Sequence, residues 1–289
     1  MITATFDYAV AHSVAEAVDH LRQYGDDAKL LAGGQSLIPL MKFRLAQPSV
    51  LVDINRIPDL ASIEERNGDL HIGALVREAD LESSAVVVRS FPMLFDTSRV
   101  IADPIVRNLA TVGGNIAHGD PANDHPAAMM ALRASVVAVG PGGSRSIRID
   151  DFFLDSFTTA LAPDEMLTDI VVPLQPSRSG GAYIKLERKV GDFAIVGVAA
   201  QVALDAEGAI DQAGIGLTNA GPTPLRAGES ERFLRGKRPD EAVLREAGEL
   251  AAQAASPTAD RRGSVEYKRA MVRNLTVRAL RKAVERASG

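Results

Sequence analysis

The chain has 289 residues, of which 46% are hydrophobic and 24% charged, with no cysteine and a formal net charge of −5. The apolar fraction excludes a disordered chain, the missing cysteines exclude disulfides and thiolate metal sites, and the net charge disfavours bulk nucleic-acid binding. No apolar run approaches the ~18 residues of a membrane-spanning helix, and the N-terminus lacks the pattern of a secretory signal. We therefore expect a cytoplasmic chain with no integral membrane span.

The N-terminal part of the chain predicts a small α+β unit. A capping box, S-x-x-E at 13–16, begins a helix that ends at Gly25. A buried strand at 29–32 leads into a glycine pair, a short helix follows, and a second strand is predicted at 50–53.

The middle of the chain predicts a second α+β unit. Hairpins are indicated at 62–73, around an Asn-Gly pair, and at 135–149, around a glycine-rich turn. Helical stretches lie between them, and a strand at 167–173 closes the unit.

The C-terminal third predicts an antiparallel sheet followed by helices. Three strands are indicated at 182–187, 194–204 and 209–217, with the sequence DAEG as the turn between the last two. After two prolines the pattern becomes helical up to about residue 286.

Two glycine segments are the strongest candidates for a binding site, and the first, AGGQS at 32–36, lies between a predicted strand and a predicted helix. Glycines there let backbone N–H groups approach an anion, and the Ser36 hydroxyl adds a donor beside the positive end of the helix dipole. A phosphate of a nucleotide cofactor suits this geometry. A plain turn is the alternative interpretation.

The second segment spans 111–126 and consists mainly of small and turn-forming residues. Without apolar periodicity, such a run is either a long surface loop or a ligand cradle lined by backbone. The carboxylate of Asp124 suits ribose hydroxyls, so the two segments together describe a dinucleotide site. Neither G-x-G-x-x-G nor G-x-x-x-x-G-K-[ST] occurs, so a Rossmann or P-loop site is not predicted. His118 and His125 lack the spacing of a metal site, and we predict none.

Taken together, these residues resemble the flavoprotein (medium) subunits of the molybdenum hydroxylases. The family's AGG-x-S and T-x-GG-N/S segments stand here at 32–36 and 111–115. The likeness covers essentially the whole chain, including 216–220. At 101–126 and 185–192 the chain is most similar to the aerobic carbon monoxide dehydrogenases.

The resemblance implies an α+β chain with the FAD-binding type 2 fold, which is also called vanillyl-alcohol-oxidase-type or PCMH-like. It implies an N-terminal FAD-binding subdomain at 1–56 and a middle FAD-binding subdomain at 57–176. The C-terminal subdomain, at 177–289, is expected to contain a three-stranded antiparallel sheet and helices and to cover the cofactor.

The same resemblance implies which residues contact FAD. The diphosphate is expected against both glycine segments, the ribitol or ribose at Asp124, and the isoalloxazine ring near Phe193, where relatives often have Tyr. Gln35 stands where close relatives often have His. The resemblance implies no catalytic residue and no metal ligand in this chain. The implied cofactor-binding residues are Leu31, Ala32, Gly33, Gly34, Gln35, Ser36, Ile101, Thr111, Gly113, Gly114, Asn115, Asp124, Leu167, Lys185 and Phe193.

The function implied by the resemblance is that of an oxidoreductase subunit that transfers electrons. Electrons pass from iron–sulfur clusters on a partner subunit through FAD to an external acceptor such as a quinone, and the expected overall reaction converts CO and water to CO2. The implied partners are a large subunit with the molybdopterin cofactor and a small subunit with two [2Fe–2S] clusters, in a dimer of heterotrimers. The implied location is the cytoplasm, with peripheral association at the inner face of the membrane as an alternative.

Three alternatives stay open from the sequence. The chain is similar enough to medium subunits of N-heterocycle, xanthine-type or aldehyde hydroxylases that the substrate is not fixed. A self-contained FAD-dependent NAD(P)H reductase is a second alternative, and a flavin-free interaction scaffold is a third.

Overall fold

Three main sheets follow one another along residues 2–289, the part of the chain that the computed structural model describes. In the first sheet the strands are parallel in the order β1-β3-β2. The predicted N-cap is confirmed, because the Ser13 hydroxyl accepts a hydrogen bond from the Glu16 N–H. The Glu16 carboxylate accepts from the N–H of His12 and not from that of Ser13, so the second bond of the predicted capping box differs. The N-terminal elements are β1 (Asp7–Val10), α1 (Val14–Tyr24), β2 (Ala28–Leu31), α2 (Leu37–Lys42) and β3 (Val50–Asp53).

The middle sheet is antiparallel, in the order β4-β5-β10-β6-β7, and β8 and β9 form a separate hairpin. Both predicted hairpins are confirmed, and the first turns at Asn67 and Gly68, which have φ values of 54° and 87°. The middle elements are β4 (Ile63–Arg66), β5 (Asp69–Gly73), α3 (Glu78–Ser83), α4 (Ala85–Ser90), α5 (Pro92–Arg99), α6 (Pro104–Arg107), α7 (Val112–Ala117), α8 (His125–Ala131), β6 (Ser135–Gly140), β7 (Gly143–Arg148), β8 (Phe153–Asp155), β9 (Thr158–Thr159) and β10 (Met166–Pro173).

The segment 111–126 is not the continuous loop that its composition suggested, because α7 and α8 lie within it. Thr111 caps α7 through its hydroxyl, which accepts from the Gly114 N–H. Every residue of α8 is buried. A helix that is buried on all sides needs no polar face, so it shows no amphipathic period in the sequence.

The C-terminal sheet is antiparallel and has four strands, in the order β11-β12-β13-β14, where the sequence predicted three. The additional strand is only two residues long and follows two prolines, which masked it in the sequence. The C-terminal elements are β11 (Ser179–Leu186), β12 (Val196–Leu204), β13 (Ile210–Thr218), β14 (Leu225–Arg226), α9 (Gly228–Leu234), α10 (Glu241–Ala254) and α11 (Val265–Ala287). Within residues 2–289 no helix combines the length and apolar character that crossing a membrane requires.

The backbone of α8 lies directly on β13, and this contact brings the middle and C-terminal sheets together. A Cβ atom at Gly216 would lie 1.9 Å from the carbonyl oxygen of Ala127, and one at Gly214 would lie 2.0 Å from that of Ala131. Only glycine allows so close an approach. As a result, Asp124, which directly precedes α8, faces the C-terminal sheet.

Candidate cofactor-binding site

The first glycine segment, 32–36, turns the chain from β2 into α2. Gly34 lies in the left-handed region, with φ of 69°. The first helical hydrogen bond joins the Ile38 N–H to the Gly34 carbonyl at 3.0 Å, and the Ser36 side chain makes no capping bond. The backbone N–H groups of residues 33–36 donate to no acceptor among residues 2–289. They are therefore free to bind an anion.

The second glycine segment, 111–115, differs in this respect. Its N–H groups at 112–115 donate to the carbonyls of Val76 and Ala74 and to the hydroxyl and carbonyl of Thr111, over 2.9 to 3.1 Å. The backbone N–H groups of 112–115 are therefore not free to bind an anion, unlike those of the first segment. The fold itself uses these donors to fix the start of α7.

The side chains of the second segment still offer polar groups. The Thr111 oxygen accepts from the Gly114 N–H, and its hydroxyl hydrogen has no acceptor among the described residues. Asn115 Oδ1 is buried without a hydrogen-bond partner, although the Asn115 carbonyl accepts from Asn123 Nδ2 at 2.8 Å. Because an unpartnered buried polar atom is costly, Asn115 indicates that a donor from a ligand belongs beside it.

The two glycine segments meet although they are far apart in the sequence. A Cβ atom at Gly33 would lie 2.2 Å from the Leu109 carbonyl oxygen and 2.8 Å from the Ala110 Cα. Leu109 and Ala110 directly precede the second segment, whose Gly113 packs on Ala74, since a Cβ at Gly113 would lie 2.6 Å from Ala74 atoms. The close approach brings both segments to the wall of one cleft.

That cleft is a cavity of about 460 Å³ that is lined from all three sheet-bearing parts of the chain. Its volume is in the range of cofactor sites. Leu31 does not line it but belongs to β2 behind the glycine turn. The other residues that the sequence assigned to the site all line the cavity, and they are Ala32, Gly33, Gly34, Gln35, Ser36, Ile101, Thr111, Gly113, Gly114, Asn115, Asp124, Leu167, Lys185 and Phe193.

A buried charge pair lies at the side of the cavity that the C-terminal sheet forms. Lys185 Nζ is 2.9 Å from Asp124 Oδ2 and 3.0 Å from the Val100 carbonyl oxygen. The Tyr183 hydroxyl lies 2.6 Å from Asp124 Oδ1 and 3.0 Å from Thr218 Oγ1. Both carboxylate oxygens of Asp124 are therefore held by residues of β11, which fixes the orientation of that side chain.

Burial controls the protonation of these groups. Burial raises the pKa of Asp124, against the opposing effect of Lys185 and of the Tyr183 hydrogen bond. Burial also raises the pKa of Tyr183 well above its ordinary value, so the hydroxyl stays protonated. Burial lowers the pKa of His118, another residue that lines the cavity, and its imidazole is neutral at pH 7.

The loop between β11 and β12 forms one edge of the cavity. Phe193 lines the cavity and is 48% exposed, so its ring also faces the outside. Asp192 accepts a hydrogen bond from Arg262 at 3.0 Å, and the Cβ position of Gly191 lies 3.1 Å from the Ala102 carbonyl oxygen. These two contacts hold the loop against the rest of the chain.

Several contributors to the site were not assigned to it from the sequence. Tyr183 carries no motif, and only its place two residues before Lys185, on the same face of a strand, could have indicated it. Glu165, whose carboxylate is held by Arg145 at 2.7 and 2.8 Å, is a charged residue near a strand start with no distinctive spacing. The lining residues that the sequence did not assign include Lys29, Leu30, Asn123, Glu165, Gly191 and Asp192.

Comparisons with known proteins give a consistent result. A family model described as the FAD binding domain in molybdopterin dehydrogenase matches residues 4–175, and one described as the CO dehydrogenase flavoprotein C-terminal domain matches residues 181–283. The carbon monoxide dehydrogenase medium chain of Hydrogenophaga pseudoflava is 44% identical over 288 residues, covering 100% of both chains. The 6-hydroxypseudooxynicotine dehydrogenase complex subunit alpha of Paenarthrobacter nicotinovorans is 38% identical, covering 98% of this chain and 96% of the relative. A solved structure of the Hydrogenophaga carbon monoxide dehydrogenase matches with a TM-score of 0.97 and 45% identity, over 99% of both chains.

Proposed function

The chain belongs to the FAD-binding flavoprotein subunits of the molybdopterin dehydrogenases, and we propose that it is the medium chain of an aerobic carbon monoxide dehydrogenase. The structural match confirms the α+β fold of FAD-binding type 2 that the resemblance implied. The 44% identity to a carbon monoxide dehydrogenase medium chain over the full length is the observation that carries the proposal.

The cavity fits FAD in its polar and apolar parts. Free backbone N–H groups at 33–36 and the Thr111 hydroxyl of the facing segment are donors and suit the diphosphate. The unpartnered Asn115 Oδ1 is an acceptor and suits a ribose or ribitol hydroxyl. The Asp124 carboxylate would accept hydrogen bonds from hydroxyls of the ribitol or the ribose. Ile101, Leu167 and Lys185 would contact the adenine or the flavin. The isoalloxazine ring would lie near Phe193. The other residues of the first glycine segment would form the turn between β2 and α2.

In the reaction, the protein itself binds and orients FAD. FAD, when bound, supplies a carrier that exchanges electrons singly or in pairs. The buried Lys185–Asp124 pair places a fixed charge distribution at the wall of the cavity. None of the fourteen cavity-lining residues assigned to the site needs to act as an acid, base or nucleophile, so we assign no catalytic residue.

The proposal includes partner chains. Oxidation of CO with water to CO2 releases two protons and two electrons, and this chemistry belongs to a molybdenum cofactor on a large subunit. A small subunit with two [2Fe–2S] clusters would deliver the electrons to FAD, and a quinone would accept them. We propose a cytoplasmic dimer of heterotrimers, at the inner face of the membrane if the acceptor is a membrane quinone.

We also propose subdomain boundaries at 1–56, 57–176 and 177–289. Each of the three main sheets falls within one of these ranges, and the cavity is lined by residues of all three.

A second candidate is the medium subunit of an N-heterocycle hydroxylase. The 38% identity to the 6-hydroxypseudooxynicotine dehydrogenase subunit supports it, and residues of this chain would not select the substrate in either case.

The test is purification of the chain with the chains that co-purify with it, followed by anaerobic addition of CO or of an N-heterocycle. We expect one FAD per chain and bleaching of the visible flavin band by CO. Bleaching by the heterocycle but not by CO would favour the second candidate. A preparation without flavin that binds no added FAD would contradict both, and turnover of NAD(P)H by this chain alone would favour a self-contained reductase.

A further inference from the structure

Asn55 and Arg77 lie outside the cavity lining, and together they connect the two glycine segments. Asn55 follows β3, and its side-chain Nδ2 lies 2.9 Å from the Ala32 carbonyl oxygen and 3.3 Å from that of Leu31. These two carbonyls immediately precede Gly33. Asn55 therefore holds the start of the first glycine segment.

Arg77 reaches the second segment from the other side. One nitrogen of its guanidinium group donates to Asn55 Oδ1 at 2.6 Å, and another donates to the Leu109 carbonyl oxygen. That carbonyl is the atom that approaches Gly33 most closely. The backbone of Arg77 also pairs with Thr111 in an isolated antiparallel bridge. One side chain thus spans the contact between the two segments.

Asp53 fixes the orientation of the Asn55 side-chain amide. Both its backbone N–H and its Nδ2 lie within 2.8 Å of Asp53 Oδ1. The other oxygen of Asp53 accepts from the Tyr8 hydroxyl. The Asn55 amide nitrogen must therefore face the carbonyls, and its oxygen must face Arg77. A carboxylate at this position has no donor for the carbonyls, so asparagine is chemically required.

We propose that Asn55 and Arg77 form a clamp that sets the distance between the two glycine segments and thereby the affinity for the FAD diphosphate. Both are positioning residues, because they act through backbone carbonyls and do not line the cavity. Holding binding groups at the correct spacing before the ligand arrives lowers the cost of binding. This inference rests on FAD binding at the proposed site.

Two other roles for Arg77 make different predictions. If its positive charge alone attracted the diphosphate, lysine would serve as well as arginine, whereas a clamp needs the forked guanidinium to reach two acceptors at once. If the two residues only stabilised the fold, their loss would lower the stability of the FAD-free protein together with the affinity.

The experiment compares Arg77→Lys, Arg77→Gln and Asn55→Asp with a control, Arg56→Gln. Arg56 is an exposed neighbour whose charge lies close enough to act on Asp53, and its side chain makes no hydrogen bond to residues 2–289. Each variant is purified with its co-purifying chains and stripped of flavin with a mild chaotrope. The FAD dissociation constant is measured by flavin fluorescence, and the Tm is measured on the stripped protein.

We expect all three clamp variants to raise the FAD dissociation constant about tenfold or more, which is the loss of one hydrogen bond to a charged group. The Tm of the stripped protein should stay at the wild-type value, and Arg56→Gln should bind FAD like the wild type. Wild-type affinity in Arg77→Lys, or unchanged affinity in all three variants, would overturn the clamp. A fall in the Tm of the stripped protein together with the loss of FAD affinity would show that Asn55 and Arg77 only stabilise the fold, and this result would also overturn the clamp. If the wild-type protein itself bound no FAD, both the proposed function and the clamp would be contradicted.

Discussion

Single atoms decide which groups of the two glycine segments can bind an anion. The motifs at 32–36 and 111–115 look equivalent in the sequence, yet only the first keeps free backbone donors. Two of the acceptors that occupy the second set belong to the neighbouring Thr111, and the other two are the carbonyls of Ala74 and Val76, more than 30 positions away in the sequence. Such long-range pairing has no local signal, so the glycines could be predicted from the sequence but the hydrogen bonds to Ala74 and Val76 could not.

The first prediction concerns the contact at Gly33. Replacing Gly33 with alanine places a Cβ 2.2 Å from the Leu109 carbonyl oxygen, so the two segments must separate. We expect a loss of stability of about 1–3 kcal/mol, typical of overpacking, together with loss of bound FAD. Denaturant unfolding and the flavin content of the purified protein measure these effects.

Gly142→Ala is the matched control. A Cβ at Gly142 meets no atom within 4 Å, and its φ is not in the left-handed region. We expect wild-type stability and flavin content there. A Gly33→Ala variant that equals this control in both measurements would contradict the close contact.

The second prediction concerns the buried pair of Lys185 and Asp124. Replacing Lys185 with methionine leaves a buried carboxylate without its cation, which costs about 3–5 kcal/mol of unfolding free energy. Adding Asp124→Asn removes the unpaired charge, so the double variant should recover much of that loss. Denaturant titration of the FAD-free protein at pH 7 measures both, and a double variant no more stable than Lys185→Met would show that the pair is not coupled.

At the scale of elements, the position of α8 determines where Asp124 lies. The sequence predicted a strand at 209–217 and helical stretches between the two hairpins of the middle unit, but not that the backbones of β13 and α8 touch. Because α8 is buried on every side, its sequence carries no face that would indicate its neighbour. In the sequence, the contact is reflected in the glycines at 214 and 216, but the need for glycine at these positions can be recognised only from the tertiary structure.

The third prediction tests this contact. Replacing Gly216 with alanine puts a Cβ 1.9 Å from the Ala127 carbonyl oxygen and must displace α8 from β13. We expect a stability loss of about 1–3 kcal/mol and a lower flavin content, since Asp124 moves away from Tyr183 and Lys185. Thermal unfolding and absorbance spectra measure both.

Gln212→Ala, at an exposed position of the same strand, controls for a change of side chain on β13. It should leave the Tm and the flavin content unchanged. Equal flavin content in Gly216→Ala and Gln212→Ala would show that α8 does not position Asp124.

At the scale of the whole molecule, the site exists only when the three sheet-bearing parts are assembled. The first glycine segment comes from the N-terminal part of the chain, the second from the middle part, and Lys185 and Phe193 from the C-terminal part. Asp96 of α5 helps to hold this arrangement, because it accepts hydrogen bonds from Lys282 and Arg286 of α11. The motif resemblance predicted the fold class, apart from the fourth strand of the C-terminal sheet, whereas composition and periodicity alone indicated only a succession of α+β units.

The central claim is that both glycine segments enclose one FAD diphosphate, and the most direct measurement is an experimental structure of the protein with FAD bound. We predict that the diphosphate oxygens accept hydrogen bonds from backbone N–H groups of Gly33–Ser36 and from the Thr111 hydroxyl of the second segment, while Asn115 Oδ1 accepts from a hydroxyl of the ligand. Density for the diphosphate outside this cleft, or on only one segment with the other turned away, would contradict the account.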